Sequence, residues 1–99
     1  MSDILTEIKV ERDRQINEEG WTTDHDDNHG NHVLSRAAAC YALASIPDFF
    51  KFGSWVRESV IPKLWPWSKD WWKPVDRRRN LVKAAALIVA EIERLDRKK

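Results

Sequence analysis

Asp76-Arg77-Arg78-Arg79-Asn80-Leu81-Val82-Lys83-Ala84-Ala85-Ala86-Leu87-Ile88-Val89-Ala90-Glu91-Ile92-Glu93-Arg94-Leu95-Asp96-Arg97 is the stretch that decides the fold class. Asp76 is placed to cap a helix, because its carboxylate can accept from the first orphan N–H groups. Leu81, Ala84, Ala85, Ile88, Ile92 and Leu95 recur at helical spacing and predict an apolar stripe running to about Arg97. The alanine-rich middle, residues 84–90, favours helix strongly.

Working outward, Val33, Leu34, Ala37, Ala38, Tyr41 and Ala44 predict a second helix over about Asn31–Ser45. Its small residues permit close helix–helix approach, and Pro47 stops it. A first helix is expected from a Ser2 cap to about Glu19, before Gly20. Its face Ile4, Ile8, Glu11, Gln15 and Glu18 begins apolar and turns polar, so its later members are expected in a polar cleft. Between the second and last helices, residues 46–75 hold all four prolines and most of the tryptophans, with a short helix expected over Ser54–Val60. No stretch shows strand alternation. The expectation is an all-α fold: a small helical bundle of three main helices plus a Trp/Pro-rich connection, one domain over 1–99. Three helices of this length make a thin core, so completion by a homodimer is expected.

At 99 residues there is room for one modest core. No apolar run approaches the roughly 20 residues of a membrane span, so no membrane partner is expected. The N-terminus has no secretory pattern, and Cys40 is the only cysteine. A cytoplasmic setting is the simpler reading, with Cys40 a small buried residue rather than a nucleophile. Net charge is +1, but residues 1–49 carry 10 acids against 4 bases and residues 50–99 carry 6 acids against 13 bases. Either the halves neutralise one another, or an acidic metal site faces a basic phosphate site.

Three constellations could carry chemistry. Asp24-His25-Asp26-Asp27-Asn28-His29, with His32 beyond, mixes carboxylates and imidazoles as a divalent-metal site would. Mg²⁺ would favour the carboxylates, and Mn²⁺ or Zn²⁺ would also accept histidine; the alternative is a solvated loop. Glu7 and Glu11 share a face of the first helix with Glu18 beyond, and could complete a metal shell or simply be solvated. Trp71-Trp72-Lys73-Pro74-Val75-Asp76-Arg77-Arg78-Arg79 places bases and rings beside a helix N-terminus, which suits phosphate and a stacked base. The alternative is that these arginines pair with the acidic half and the rings fill the core.

The blocks Glu11-Arg12-Asp13-Arg14-Gln15, Glu19-Gly20-Trp21-Thr22, His25-Asp26-Asp27-Asn28-His29, Trp65-Pro66-Trp67, Trp72-Lys73-Pro74 and Arg78-Arg79-Asn80-Leu81-Val82-Lys83-Ala84 occur in this order. Together with Leu34, Ala37-Ala38 and Tyr41-Ala42, they span most of the chain. In this the chain resembles small phage and prophage proteins of the dATP/dGTP diphosphohydrolase-like (MazZ-like) family, relatives of the all-α MazG nucleotide pyrophosphohydrolases. The resemblance implies an oligomeric all-α fold, Mg²⁺, and hydrolysis of a (deoxy)nucleoside triphosphate to monophosphate and pyrophosphate in the cytoplasm of a host cell. It implies metal ligands Glu11, Glu18, Glu19, Asp26 and Asp27, with Asp27 and His29 as the catalytic pair. Trp72, Lys73, Arg78, Arg79 and Lys83 would bind substrate.

The chain departs from the MazG pattern of Glu-x-x-Glu on one helix and Glu-x-x-Asp on the next. Glu7 and Glu11 are four apart, the second helix has no acid, and the one Glu-x-x-Asp is Glu93–Asp96. The metal site is therefore rebuilt around the Asp26-Asp27-His29 loop or is absent. A second class of function is a non-enzymatic inhibitor of a host defence complex, anti-CRISPR-like, acting by protein binding. Such an inhibitor should expose Trp65, Trp67 or Trp71 in an apolar patch.

Overall fold

The computed structural model describes residues 3–19 and 32–97, and side chains on the first helix as far as Asn17. Those residues form four helices and no strand. Helix α1 spans Ile4–Glu19 and α2 spans Val33–Leu43. Helix α3 covers 51–64 and is made of an α segment Lys51–Trp55, a π segment Val56–Val60 and an α segment Ile61–Leu64. Helix α4 spans Arg77–Arg97. A 3₁₀ turn, Lys69–Trp71, lies in the connection between α3 and α4.

The helix starts follow local chemistry. Asp3 begins α1: its carboxylate accepts from the Leu5 amide at 3.0 Å and the Thr6 hydroxyl at 3.2 Å. Asp3 thus does the capping expected of Ser2, which lies outside the described residues. Asp76 begins α4 as expected, accepting from the Arg79 amide at 2.8 Å. Helix α2 is entered from His32, whose backbone is left-handed (φ 59°) and whose side chain makes no cap bond; Asn31, the expected start of this helix, is outside the described residues. The helix ends at Leu43, short of the expected Ser45. The expected short helix over Ser54–Val60 extends in both directions. Pro62 has no N–H for the carbonyl four residues back, and the helical register widens to π immediately before it.

Helix α4 is the hub, with α2 against one side and α1 against the other. The α2–α4 contact is a tight seam of Leu34, Ala37, Ala38 and Tyr41 against Ala84, Leu87 and Ala90. The alanines let the helices approach closely, and Leu34 and Leu87 are the large aliphatic side chains that fill the gap. Trp65, Trp67 and Trp72 pack along this cluster. Around Tyr41, ring centroids lie 4.7 Å from Trp72 and 5.7 Å from Trp65, and Trp65 lies 5.3 Å from Trp67.

The buried stripe of α4 corrects the sequence expectation. It consists of Asn80, Val82, Lys83, Ala84, Ala86, Leu87, Ala90 and Glu91. Leu81, Ile88, Ile92 and Leu95, four of the six residues expected inside, are exposed. The polar members of the buried stripe hold the chain together. Asn80 accepts from the Val75 amide at 2.8 Å, and the Lys83 ammonium donates to the Lys73 carbonyl at 2.7 Å. Glu91 accepts from Arg94 at 2.6 Å and from the Ser35 hydroxyl at 3.2 Å.

Arginines from elsewhere close the carboxyl ends of two helices. Arg57 donates to the carbonyls of Ala44 and Ile46, and Arg77 to that of Ser45, all just past α2. Arg36 donates to the Leu64 carbonyl at the end of α3. A guanidinium satisfies orphan carbonyls and complements the negative end of the helix dipole. Part of the basic half of the chain is thus consumed in capping.

Candidate functional site: a basic cleft at the start of α4

Helix α1 crosses the amino end of α4 so that its acids meet the arginines there. Glu7 takes both Nη groups of Arg78, each at 2.7 Å. Glu11 is completely buried (0% exposed). It receives Arg14 through Nε and Nη2, both at 2.8 Å, the Gln15 amide at 3.0 Å, and Arg79. Of the polar half of the α1 stripe, Glu11 and Gln15 point inward, as the residue pattern predicted; the Glu18 side chain is outside the described residues. Gln15 is also buried, and its Oε1 has no donor among the described residues.

Both carboxyls are more acidic than usual. For Glu7 the bidentate bond from Arg78 is the main cause. For Glu11 burial pushes the pKa up, and the hydrogen bond and charge of Arg14, with the Arg79 charge and the Gln15 amide, more than reverse it. Glu11 therefore acts as a buried anchor that fixes two guanidiniums. Each guanidinium carries five N–H donors in a rigid fork, and a carboxylate bound along one edge fixes the plane of the whole fork.

Beside them lies a cleft of about 710 Å³ lined by Arg14, Val75, Asp76, Arg78, Arg79 and Lys83. Its size falls in the usual range for small-ligand sites. The first turn of α4 forms its floor, adding the positive end of a 21-residue helix. Three carboxylates, Glu7, Glu11 and Asp76, offset most of the charge of the four bases. The cleft therefore presents oriented donors more than a large net field.

The sequence-derived residues divide as follows. Arg78 and Arg79 line the cleft, and Lys83 reaches it while its ammonium is anchored to the Lys73 carbonyl and lies 5.4 Å from the Tyr41 ring centre. Lys73 does not line the cleft. Its amide donates to the Tyr41 hydroxyl and its ammonium lies 5.3 Å from the centre of the Trp71 ring. Trp72 is half-buried against Tyr41 and Trp65, in the aromatic cluster. Glu18 and Glu19 are on the last turn of α1, with side chains outside the described residues. Asp26, Asp27 and His29 lie outside them entirely. Arg14 is the cleft residue that sequence reading missed; its position three residues after Glu11 was the available signal.

Among the described residues no group of three or more His, Cys, Asp or Glu side chains could hold a metal ion. Cys40 is fully buried, and burial raises its thiol to about 11. It is the inert core residue the sequence suggested. No helix is long and apolar enough to cross a membrane among the described residues.

Comparison with known proteins gives no match to this chain: not among protein-family models, curated proteins or solved structures.

Proposed function

We propose that the cleft at the start of α4 takes the phosphate chain of a (deoxy)nucleoside triphosphate. We further propose that the protein belongs functionally with the nucleotide pyrophosphohydrolases its sequence resembles, converting triphosphate and water to monophosphate and pyrophosphate. The observation that carries the reading is the convergence of Arg14, Arg78, Arg79 and Lys83 on one open cleft, with Glu7 and Glu11 bracing three of them. Bidentate guanidiniums and a helix amino terminus are the groups that hold phosphoryl oxygens.

The resemblance also implies a divalent metal. Glu11 does not fit as its ligand in this arrangement. Its oxygens already face two guanidiniums, whose positive charge opposes a cation at the same point. The acids that could still serve are Glu18, Glu19, Asp26 and Asp27, and His29 adjoins them in sequence. Arg79 and Arg14 hold the phosphate oxygens and disperse their charge.

Calorimetric titration with dATP and dGTP, with and without Mg²⁺, and pyrophosphate release from the same samples, test the reading. Binding lost in Arg79→Ala, with release abolished by Asp27→Asn, is the expected outcome. Binding without release leaves a nucleotide sensor, and no binding refutes the reading.

A second reading, an inhibitor acting by protein contact, has its own observation. Phe49, Phe50, Phe52 and Trp55 are exposed together, with ring pairs at 4.6 and 5.7 Å. The aromatic patch is therefore at the start of α3. Of the rings expected to form it, Trp65 and Trp67 are half-buried and Trp71 is exposed. A chain silent towards nucleotides but bound to a purified defence complex through Trp55 would establish this second reading.

A further inference from the structure

The entry into α3 carries four exposed rings on one short stretch of chain. Phe49 is 82% exposed, Phe50 55%, and Phe52 and Trp55 53% each. Large apolar side chains grouped in this way mark an interaction surface. The backbone behind the rings holds them outward. Gly53 is buried and lets the first turn of α3 lie directly on the Pro47 carbonyl. The Phe50 amide donates to that same carbonyl at 3.2 Å, and the Ser54 hydroxyl donates to the Asp48 carbonyl at 2.7 Å. Arg57 ties down the chain before it, through the Ala44 and Ile46 carbonyls and the Asp48 carboxylate. With residues 44–54 pinned from the inside, the rings have no route into the core.

The polar groups of this surface decide what it fits. The Ser54 hydroxyl is spent on a carbonyl, and Asp48 and Arg57 are bound to each other at 2.9 Å. The exposed ionised groups that remain along α3 are Lys51, Glu58 and Lys63. Lys51 stands one turn before Trp55, on the same face of the helix. Lys63 shares with Trp55, Ser59, Val60 and Leu64 the lining of an open furrow of about 340 Å³. The surface thus combines protruding rings with two ammoniums and offers few directed hydrogen-bonding groups. A protein partner is read through such directed groups at a polar rim. A bilayer surface requires none: the rings enter the zone between headgroups and acyl chains, while lysine stems lie along it with their ammoniums among the phosphates. No described helix can cross a membrane, and lying on one does not require such a helix.

We propose that this protein docks on an anionic lipid surface through Phe49, Phe50, Phe52 and Trp55, with Lys51 and Lys63 against the headgroup phosphates. Residues 46–64 hold three bases and two acids. The rings therefore supply most of the attraction, and the lysines set the preference for anionic over neutral lipid. None of these residues lines the basic cleft at the start of α4, so the docking does not depend on what that cleft binds.

Cosedimentation of the full chain with vesicles of phosphatidylcholine, alone or mixed with phosphatidylglycerol, tests the proposal. Wild type is expected to pellet with the mixed vesicles at about 1 mM lipid, and more weakly with the neutral ones. Phe49→Ser and Phe50→Ser each remove an exposed ring, so far-UV circular dichroism should be unchanged. Each should weaken binding about tenfold. Lys51→Gln should weaken binding to the mixed vesicles about fivefold and leave the neutral ones unaffected. Acyl chains brominated near the headgroup should quench the wild-type fluorescence, and Trp55→Phe should lose most of that quenching while still pelleting. No association with either vesicle overturns the proposal, as does equal association with both. Binding that survives both Phe variants undiminished, or quenching that survives Trp55→Phe, overturns it by placing the contact on another surface. A purified protein that binds through these rings, with vesicles left in the supernatant, gives the patch to a protein partner instead.

Discussion

Replacing Glu11 by Gln keeps the side chain's size and removes the charge on which Arg14 and Arg79 converge. Removing one partner of a fully buried pair costs about 3–5 kcal/mol. The arginine side chains here are 27% and 31% exposed. Water can therefore reach both guanidiniums, and part of that cost is relieved. About 2 kcal/mol is the expected loss, against roughly 5–15 kcal/mol for a domain of this length. The pH dependence separates this mechanism from simple misfit. The Glu11 carboxyl is held below its ordinary 4.5 in the folded chain. Its contribution is fully present above the unfolded value and is lost as pH falls through the lowered folded value. Urea midpoints of wild type and Glu11→Gln should differ clearly at pH 7 and converge as the solution is taken towards about pH 2. Equal midpoints at pH 7 would refute the anchor. A gap that persists undiminished in acid would show that shape, not charge, made the difference.

Two further predictions rest on local geometry. Gly53→Ala should destabilise, although alanine is ordinarily about 1 kcal/mol better within a helix. A Cβ at this position would run into the Pro47 carbonyl oxygen, with the Ile46 side chain at 3.3 Å behind it, and a thermal melt of the variant reads the sign. Cys40 should be unreactive towards a thiol reagent in the folded protein at pH 8, because its thiol is fully buried and raised to about 11. Fast labelling without denaturant would show that the α2–α3 contact opens readily.

The limits of α4 were legible because capping is local. Asp76 sits next to Arg77, and no distant contact is needed for its carboxylate to find the Arg79 amide. The inward face of α4 was not legible, for a physical reason. A helical wheel ranks stripes by hydrophobicity and assigns the most apolar one to the core. In α4 the core stripe contains Asn80, Lys83 and Glu91, each buried because a particular partner satisfies it. Those partners are the Val75 amide, the Lys73 carbonyl and Ser35, on segments whose position periodicity does not encode. Alanine completes the deception: Ala90 scores weakly as a hydrophobe, yet its size, with that of the correctly expected Ala84, is what allows α2 to close in.

The charge asymmetry of the chain was visible at once, and its meaning required the fold. An acidic half and a basic half suggest two facing sites, but the same counts are reached if each base has a private acid or carbonyl. Both occur here. Arg57, Arg77 and Arg36 are used up on helix ends, where each replaces water at a carbonyl. Arg78, Arg79 and Arg14 are held differently, by carboxylates set behind them on α1. An arginine bonded to a carbonyl at a helix end is committed to that end. An arginine gripped along one edge by a carboxylate has its fork oriented before any ligand arrives, which lowers the entropy cost of binding. Arg12, Arg57 and Arg94 also pair with carboxylates, away from the cleft; bracing at the cleft marks Arg14, Arg78 and Arg79 as candidate ligand groups, and it depends on Glu7 and Glu11 lying one helical turn apart on α1.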